Sequence, residues 1–145
     1  MSIHHHRILA ALVTTMGLLV VALGSTNIAA QPSLLDGKTF VADAGIKGKP
    51  ADEKDDILSF KDGKFHSSSC DQWGYGKGDF KASTTGDGIS FETETFSDKY
   101  GKLTWKGIIR GDAIEGTFIQ YPKPGFFNSN PTPIEHWFKG KLKQK

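Results

Sequence analysis

The chain has 145 residues, a single cysteine and a formal net charge of +2. One cysteine cannot form a disulfide within the chain, so apolar packing and backbone pairing must hold the fold together. The charge is nearly balanced and the only arginines are Arg7 and Arg110. This composition argues against nucleic-acid binding, because nucleic-acid-binding proteins present a basic face rich in arginine and lysine.

The first thirty residues have the layout of a secretory signal peptide. Arg7 precedes an almost wholly apolar run at 8–23, and the segment 26–30 ends in Ile-Ala-Ala before Gln31. The run is short for a membrane-spanning helix, which needs ~20 apolar residues. We therefore expect cleavage near residue 30, one mature domain at 31–145, a secreted or periplasmic location and no stable membrane span after cleavage. The alternative is an uncleaved N-terminal anchor.

Alternation of apolar and polar residues dominates the rest of the chain and is typical of β-strands. No long segment with helical periodicity competes with it, and one helical turn is expected near Pro50 to Asp55. The alternation predicts strands at 38–42, 57–61, 64–69, 79–85, 88–95, 102–110, 113–120 and 133–143.

Three tight turns, Asp62-Gly63, Gly86-Asp87 and Gly111-Asp112, fix the register of three hairpins. Counting outward from each turn puts the apolar residues of both strands on one face, and a slip of one residue would turn them to solvent. The predicted pairs are Phe60 with Phe65, Ala82 with Phe91, Lys81 with Glu92, Ile109 with Ile114, Gly107 with Gly116 and Trp105 with Phe118.

The predicted fold class is all-β, an eight-stranded antiparallel up-and-down meander closed into a barrel. A β-sandwich is the alternative, and closure is favoured because it removes exposed strand edges. The residues expected in the interior are Phe40, Leu58, Phe60, Phe65, Phe80, Ile89, Phe91, Leu103, Trp105, Ile109, Ile114, Phe118, Ile134, Phe138 and Leu142.

In such a barrel the connections alternate between the two ends, so the three tight turns share one end. The longer connections, 43–56, 71–77, 96–101 and 121–132, then share the other end. Loops held by a rigid scaffold are where functional residues concentrate. The candidate ligand-binding residues at this open end are Trp73, Tyr75, Tyr100, Tyr121, Phe126, Phe127 and His136.

The eight-strand meander, the long first connection and the segment LDGKTF at 35–40 resemble the calycin group, the lipocalins and their relatives. The resemblance spans the mature chain and is architectural. The Gly-x-Trp motif of lipocalins is not completed, because Thr39 follows Gly37-Lys38. The resemblance implies a barrel that is open at one end, and no functional residue is transferred from it.

The stretch FHSSSCDQWGYGKGDF at 65–80 contains the single cysteine, Cys70, four residues after His66. Four residues of a strand span ~13 Å, too far for two ligands of one metal ion. Strand parity turns both side chains outward, away from His136, which argues against a Cys/His catalytic pair. The glycines at 74–78 precede a strand rather than a helix, unlike a phosphate-binding loop. No metal site, catalytic residue or cofactor is therefore predicted.

The loop QYPKPGFFNSNPTP at 120–133 is the most unusual segment, because adjacent phenylalanines in a loop are costly unless they cover something. They either cap the barrel, line a ligand or dock on a partner. The leading hypothesis is an exported protein that binds a small apolar or aromatic ligand at the open end. The alternative is a non-enzymatic protein–protein interaction or inhibitor module of the cell envelope. An enzyme is not expected.

Overall fold

A computed structural model describes residues 34–145, and the signal peptide predicted at 1–30 lies outside them. The described residues form a closed antiparallel barrel in which each strand pairs with the next and the last pairs with the first. This confirms the predicted fold class and excludes the sandwich. Among these residues, no helix is long and apolar enough to span a membrane. The strands are β1 Thr39–Ile46, β2 Glu53–Lys61, β3 Lys64–Ser67, β4 Gly78–Thr85, β5 Gly88–Ser97, β6 Gly101–Arg110, β7 Ala113–Tyr121 and β8 Ile134–Leu142.

The register predicted from the three tight turns is confirmed at every pair. Phe60 lies opposite Phe65, Lys81 opposite Glu92, and Trp105 opposite Phe118. The agreement follows from turn chemistry, because a two-residue turn leaves its flanking strands one alignment. The remaining pairs, Ala82 with Phe91, Ile109 with Ile114 and Gly107 with Gly116, are also as predicted.

The tight turns close one end of the barrel, and the segment that precedes β1 seals it. Leu35 is 0% exposed and packs into the hydrophobic core. The backbone N–H of Gly37 donates to the Phe60 carbonyl at 2.8 Å, and the backbone N–H of Gly63 donates to Asp36 Oδ1 at 3.1 Å. The segment 34–38 is therefore tied to the β2–β3 hairpin and covers this end of the barrel.

Aromatic side chains fill the half of the barrel next to the closed end. Phe60 makes edge contacts with Phe91 at a ring-centroid distance of 4.9 Å, and Phe65 packs on Trp105 at 4.9 Å. Gly116 provides the room for Phe138, because a Cβ built at residue 116 would lie 2.6 Å from the Phe138 ring. This half of the barrel is a filled core.

The predicted helical turn near Pro50 to Asp55 is wrong, because residues 50–52 are not helical and β2 begins at Glu53. Only the residues 47–52 connect the two strands, and the register shifts between Ala42 and Ala44. The chain turns closely here, since a Cβ at Gly45 would lie 2.6 Å from the Pro50 carbonyl oxygen. Ile134, expected in the interior, begins β8 at the open end and is 38% exposed.

Candidate functional site

The open half of the barrel contains a cavity of about 470 Å³. Inward-facing side chains of the strands form it together with the connection between β3 and β4. The residues that line it are Ala44, Gly45, Asp52, Glu53, Asp56, Ser69, Cys70, Trp73, Tyr75, Tyr100, Leu103, Trp105, Phe118, Gln120 and His136.

Three stacked rings, Trp105, Phe118 and His136, form one surface of the cavity, which we call the aromatic stack. Phe118 lies 4.3 Å from the Trp105 ring centroid and 4.5 Å from that of His136, nearly parallel to both. Trp105 Nε1 donates to Thr95 Oγ1 at 3.3 Å, which satisfies its single donor and fixes the indole. The stack is built by neighbouring strands, because Phe118 of β7 pairs with Trp105 of β6 and with His136 of β8.

His136 is the titratable member of the aromatic stack. Its Nδ1 is buried and has no hydrogen-bond partner within residues 34–145. Burial lowers the pKa of the imidazole below its ordinary value of 6.5, so the ring is neutral at pH 7. A buried polar atom without a partner is rare in folded proteins.

The connection between β3 and β4 forms the opposite wall. A single 3₁₀ turn at Asp71–Trp73 ends at Gly74, whose φ of 71° suits glycine. The ring of Trp73 meets that of Tyr100 edge-on at 5.4 Å. The Ser97 hydroxyl donates to the Trp73 carbonyl at 2.7 Å and accepts from the backbone N–H of Tyr100 at 3.2 Å. These bonds hold the two aromatic rings at the mouth of the cavity.

Tyr75 lies below these rings and is almost fully buried. Its hydroxyl donates to the Tyr100 carbonyl at 3.3 Å. Burial is the main cause that raises the pKa of the phenol, which therefore stays protonated at neutral pH and acts as a hydrogen-bond donor.

Cys70 lines the cavity, so its predicted outward orientation is wrong. The strand β3 ends at Ser67 and the chain turns into the 3₁₀ helix, so strand parity no longer applies at residue 70. The thiol is partly buried against the core. Burial raises its pKa to about 11, whereas reactive cysteines have a lowered pKa. Cys70 is therefore a small apolar part of the wall and not an activated nucleophile.

Three carboxylates, Asp52, Glu53 and Asp56, give one side of the cavity a negative charge. We call this side the acidic wall. Asp56 is buried and accepts from Ser67 Oγ at 2.6 Å, Ser68 Oγ at 3.0 Å and the backbone N–H of Ser69 at 2.9 Å.

Glu53 Oε1 accepts from Ser69 Oγ at 3.0 Å. No Lys or Arg of the described chain lines the cavity. Sequence reasoning missed this acidic wall because it assigned residues 53–56 to a loop. The alternation of side chains along β2 could have indicated it, because Asp56 shares the inward face of this strand with Leu58 and Phe60.

The structure brings four of the seven predicted ligand-binding residues together around the cavity: Trp73, Tyr75, Tyr100 and His136. The other three lie outside it. Tyr121 is on the outer surface, with Lys102 Nζ 5.3 Å from its ring centroid. Phe126 and Phe127 are 96% and 98% exposed and contact each other edge-on at 5.0 Å. The loop at 122–133 therefore projects from the barrel and does not cap it.

No group of three or more His, Cys, Asp and Glu side chains in the described part of the chain is placed to hold a metal ion. The carboxylates of the acidic wall are oriented by serine donors instead.

Comparison of the chain with protein-family models, with curated proteins and with solved structures finds no match.

Proposed function

We propose that this protein is an exported carrier or scavenger that binds a small ligand with an apolar or aromatic body in the cavity at the open end. The observation that carries the proposal is the cavity of about 470 Å³ above a filled aromatic core. Specific small-molecule sites have volumes of roughly 300–1,000 Å³ and combine apolar walls with a few placed polar groups. We further propose that the barrel is calycin-like, related in architecture to the lipocalins.

The lining of the cavity supports ligand binding rather than side-chain packing alone. The aromatic stack offers a flat apolar surface, while the Tyr75 hydroxyl and the Glu53 carboxylate offer polar contacts. Flat rings favour a ligand with a planar or compact apolar part, because offset stacking adds ~0.5–1.5 kcal/mol beyond area burial.

The proposed role is non-enzymatic. Catalysis by Cys70 would need a thiolate, and burial instead raises the pKa of that thiol to about 11. His136 stacks on Phe118 and its Nδ1 makes no hydrogen bond within the described chain, so no neighbouring side chain orients it as a general base.

Native mass spectrometry of the chain 31–145, purified from its own secretory compartment without a reductant, tests the proposal. We expect added mass that leaves on denaturation. Ala44→Phe should strongly reduce that mass, because Ala44 lines the cavity on β1 and a phenyl group would occupy part of the space for the ligand. Thr117→Phe adds the same ring at an exposed position of β7 and should retain it. Equal occupancy in the two variants would contradict the proposal.

A second function is favoured by the exposed pair Phe126 and Phe127. Adjacent, almost fully exposed phenylalanines are rare on a protein surface unless they dock on something. The alternative is therefore an interaction or inhibitor module that uses this loop. A photo-crosslinking residue at position 126 should then give a discrete protein adduct in intact producing cells. The same residue at the exposed position Lys81 serves as the control, and identical adduct patterns would contradict the alternative.

A further inference from the structure

We propose that the cavity selects an organic cation, a protonated amine carried on an aromatic or compact apolar body. This inference rests on the proposed function, because it names the ligand class of the same cavity. The cavity combines the acidic wall with aromatic rings. No positively charged side chain of the described residues lines it.

The charge of the cavity favours a cation. Asp52, Glu53 and Asp56 line the cavity, and no Lys or Arg within residues 34–145 lines it to balance them. His136 adds no positive charge at neutral pH, because burial lowers its pKa. A cleft lined by one sign of charge with apolar walls focuses its field and concentrates ligands of the opposite sign. The same field disfavours carboxylates, so a fatty acid or another organic anion is a poor ligand here.

The carboxylates of the acidic wall differ in how many hydrogen bonds they accept from the chain. Asp56 is held by three donors from residues 67–69, which fixes its carboxylate in place. Glu53 uses only Oε1, which accepts from Ser69 Oγ, and Oε2 makes no hydrogen bond in the described part of the chain. Oε2 of Glu53 is therefore available for an ammonium group, and such charge-assisted bonds are roughly twice as strong as neutral ones. Asp52, exposed near the mouth, extends the negative field outward.

Aromatic rings in the same cavity also favour a cation. Trp73, Tyr75 and Tyr100 line the cavity together with the carboxylates, and a cation over such a ring is attracted by its quadrupole.

Isothermal titration with three probes of one ring system tests the inference: tryptamine (cationic), 3-ethylindole (neutral) and indole-3-propionate (anionic). We expect tryptamine to bind at least about tenfold more tightly than indole-3-propionate at low ionic strength, with a smaller ratio as salt screens the field. Glu53→Gln should remove most of this preference, because the amide keeps a carbonyl for Ser69 but loses the charge. Glu92→Gln removes the same charge from the outer face of β5 and should leave the preference unchanged.

The possible outcomes distinguish the preference for a cation from ligand binding in the cavity as such. If indole-3-propionate or 3-ethylindole binds as tightly as tryptamine, and Ala44→Phe strongly reduces that binding, the cavity is a ligand site but the cation preference is wrong. If tryptamine binds equally well to Glu53→Gln and to the parent protein, the assignment of Glu53 as counter-ion is wrong. If no probe binds and no ligand mass is found in the native protein, both proposals fail.

Discussion

Truncating Leu35 to alanine should destabilise the whole barrel, although this residue lies before the first strand. The side chain is 0% exposed and packs into the core beneath the β2–β3 hairpin. The substitution removes three buried carbon groups, worth about 2.4 kcal/mol in transfer free energy at ~0.8 kcal/mol each. The empty space left by the truncated side chain raises the expected loss in the free energy of unfolding to about 3–4 kcal/mol.

Leu34→Ala is the matched control, because the adjacent leucine is 46% exposed and loses the same atoms. We expect it to change the free energy of unfolding by less than about 1 kcal/mol. Urea denaturation followed by tryptophan fluorescence measures both variants, and Leu35→Ala should also lower Tm by roughly 10–15 °C. Equal losses for the two variants would show that the segment 34–38 does not seal the barrel and that the core closes without it.

Three further outcomes are expected. At about pH 8, Cys70 should react with iodoacetamide roughly 100-fold more slowly in the folded protein than in urea, because burial raises its pKa from 9.0 to about 11; equal rates by mass spectrometry would contradict this. Gly116→Ala should cost at least about 1–3 kcal/mol in urea denaturation, because the new Cβ would clash with the Lys106 carbonyl oxygen and the Phe138 ring, while Gly125→Ala, in open space, should cost little. Burial lowers the pKa of His136 from 6.5, so its contribution to stability is present above the unfolded pKa and lost as pH falls through the folded pKa. The free energy of unfolding should therefore fall less steeply between about pH 7 and pH 5 in His136→Phe than in the parent protein, and parallel curves would refute the assignment.

The sequence predicted the hairpins well because their constraints are local. A two-residue turn such as Gly111-Asp112 fixes which residues face each other, and alternation then decides which face is buried. The burial of Leu35 was not predicted from the sequence. It depends on contact between the segment 34–38 and a hairpin that lies more than twenty residues later in the chain. Local patterning carries no information about such a contact.

The cavity was predicted only in part, for the same reason. Trp73, Tyr75 and Tyr100 were placed at the open end by strand counting alone. Asp56 looked like a loop residue because an inward carboxylate is unfavourable until three donors from residues 67–69 meet it. Phe126 and Phe127 were expected to cap the barrel, line a ligand or dock on a partner, and nothing in the sequence indicated that their loop projects outward.

The pairing that closes the barrel joins the two ends of the domain. Phe40 of β1 lies opposite Leu142 of β8, about a hundred residues later in the chain. The entropy of closing so long a loop is lost before this pairing contributes any stability, which places the protein among the slower-folding small domains. Until β8 pairs with them, β1 and β7 each have an unpaired edge that can pair with a strand of another chain. A truncation that removes β8 should therefore yield aggregates rather than a smaller soluble barrel.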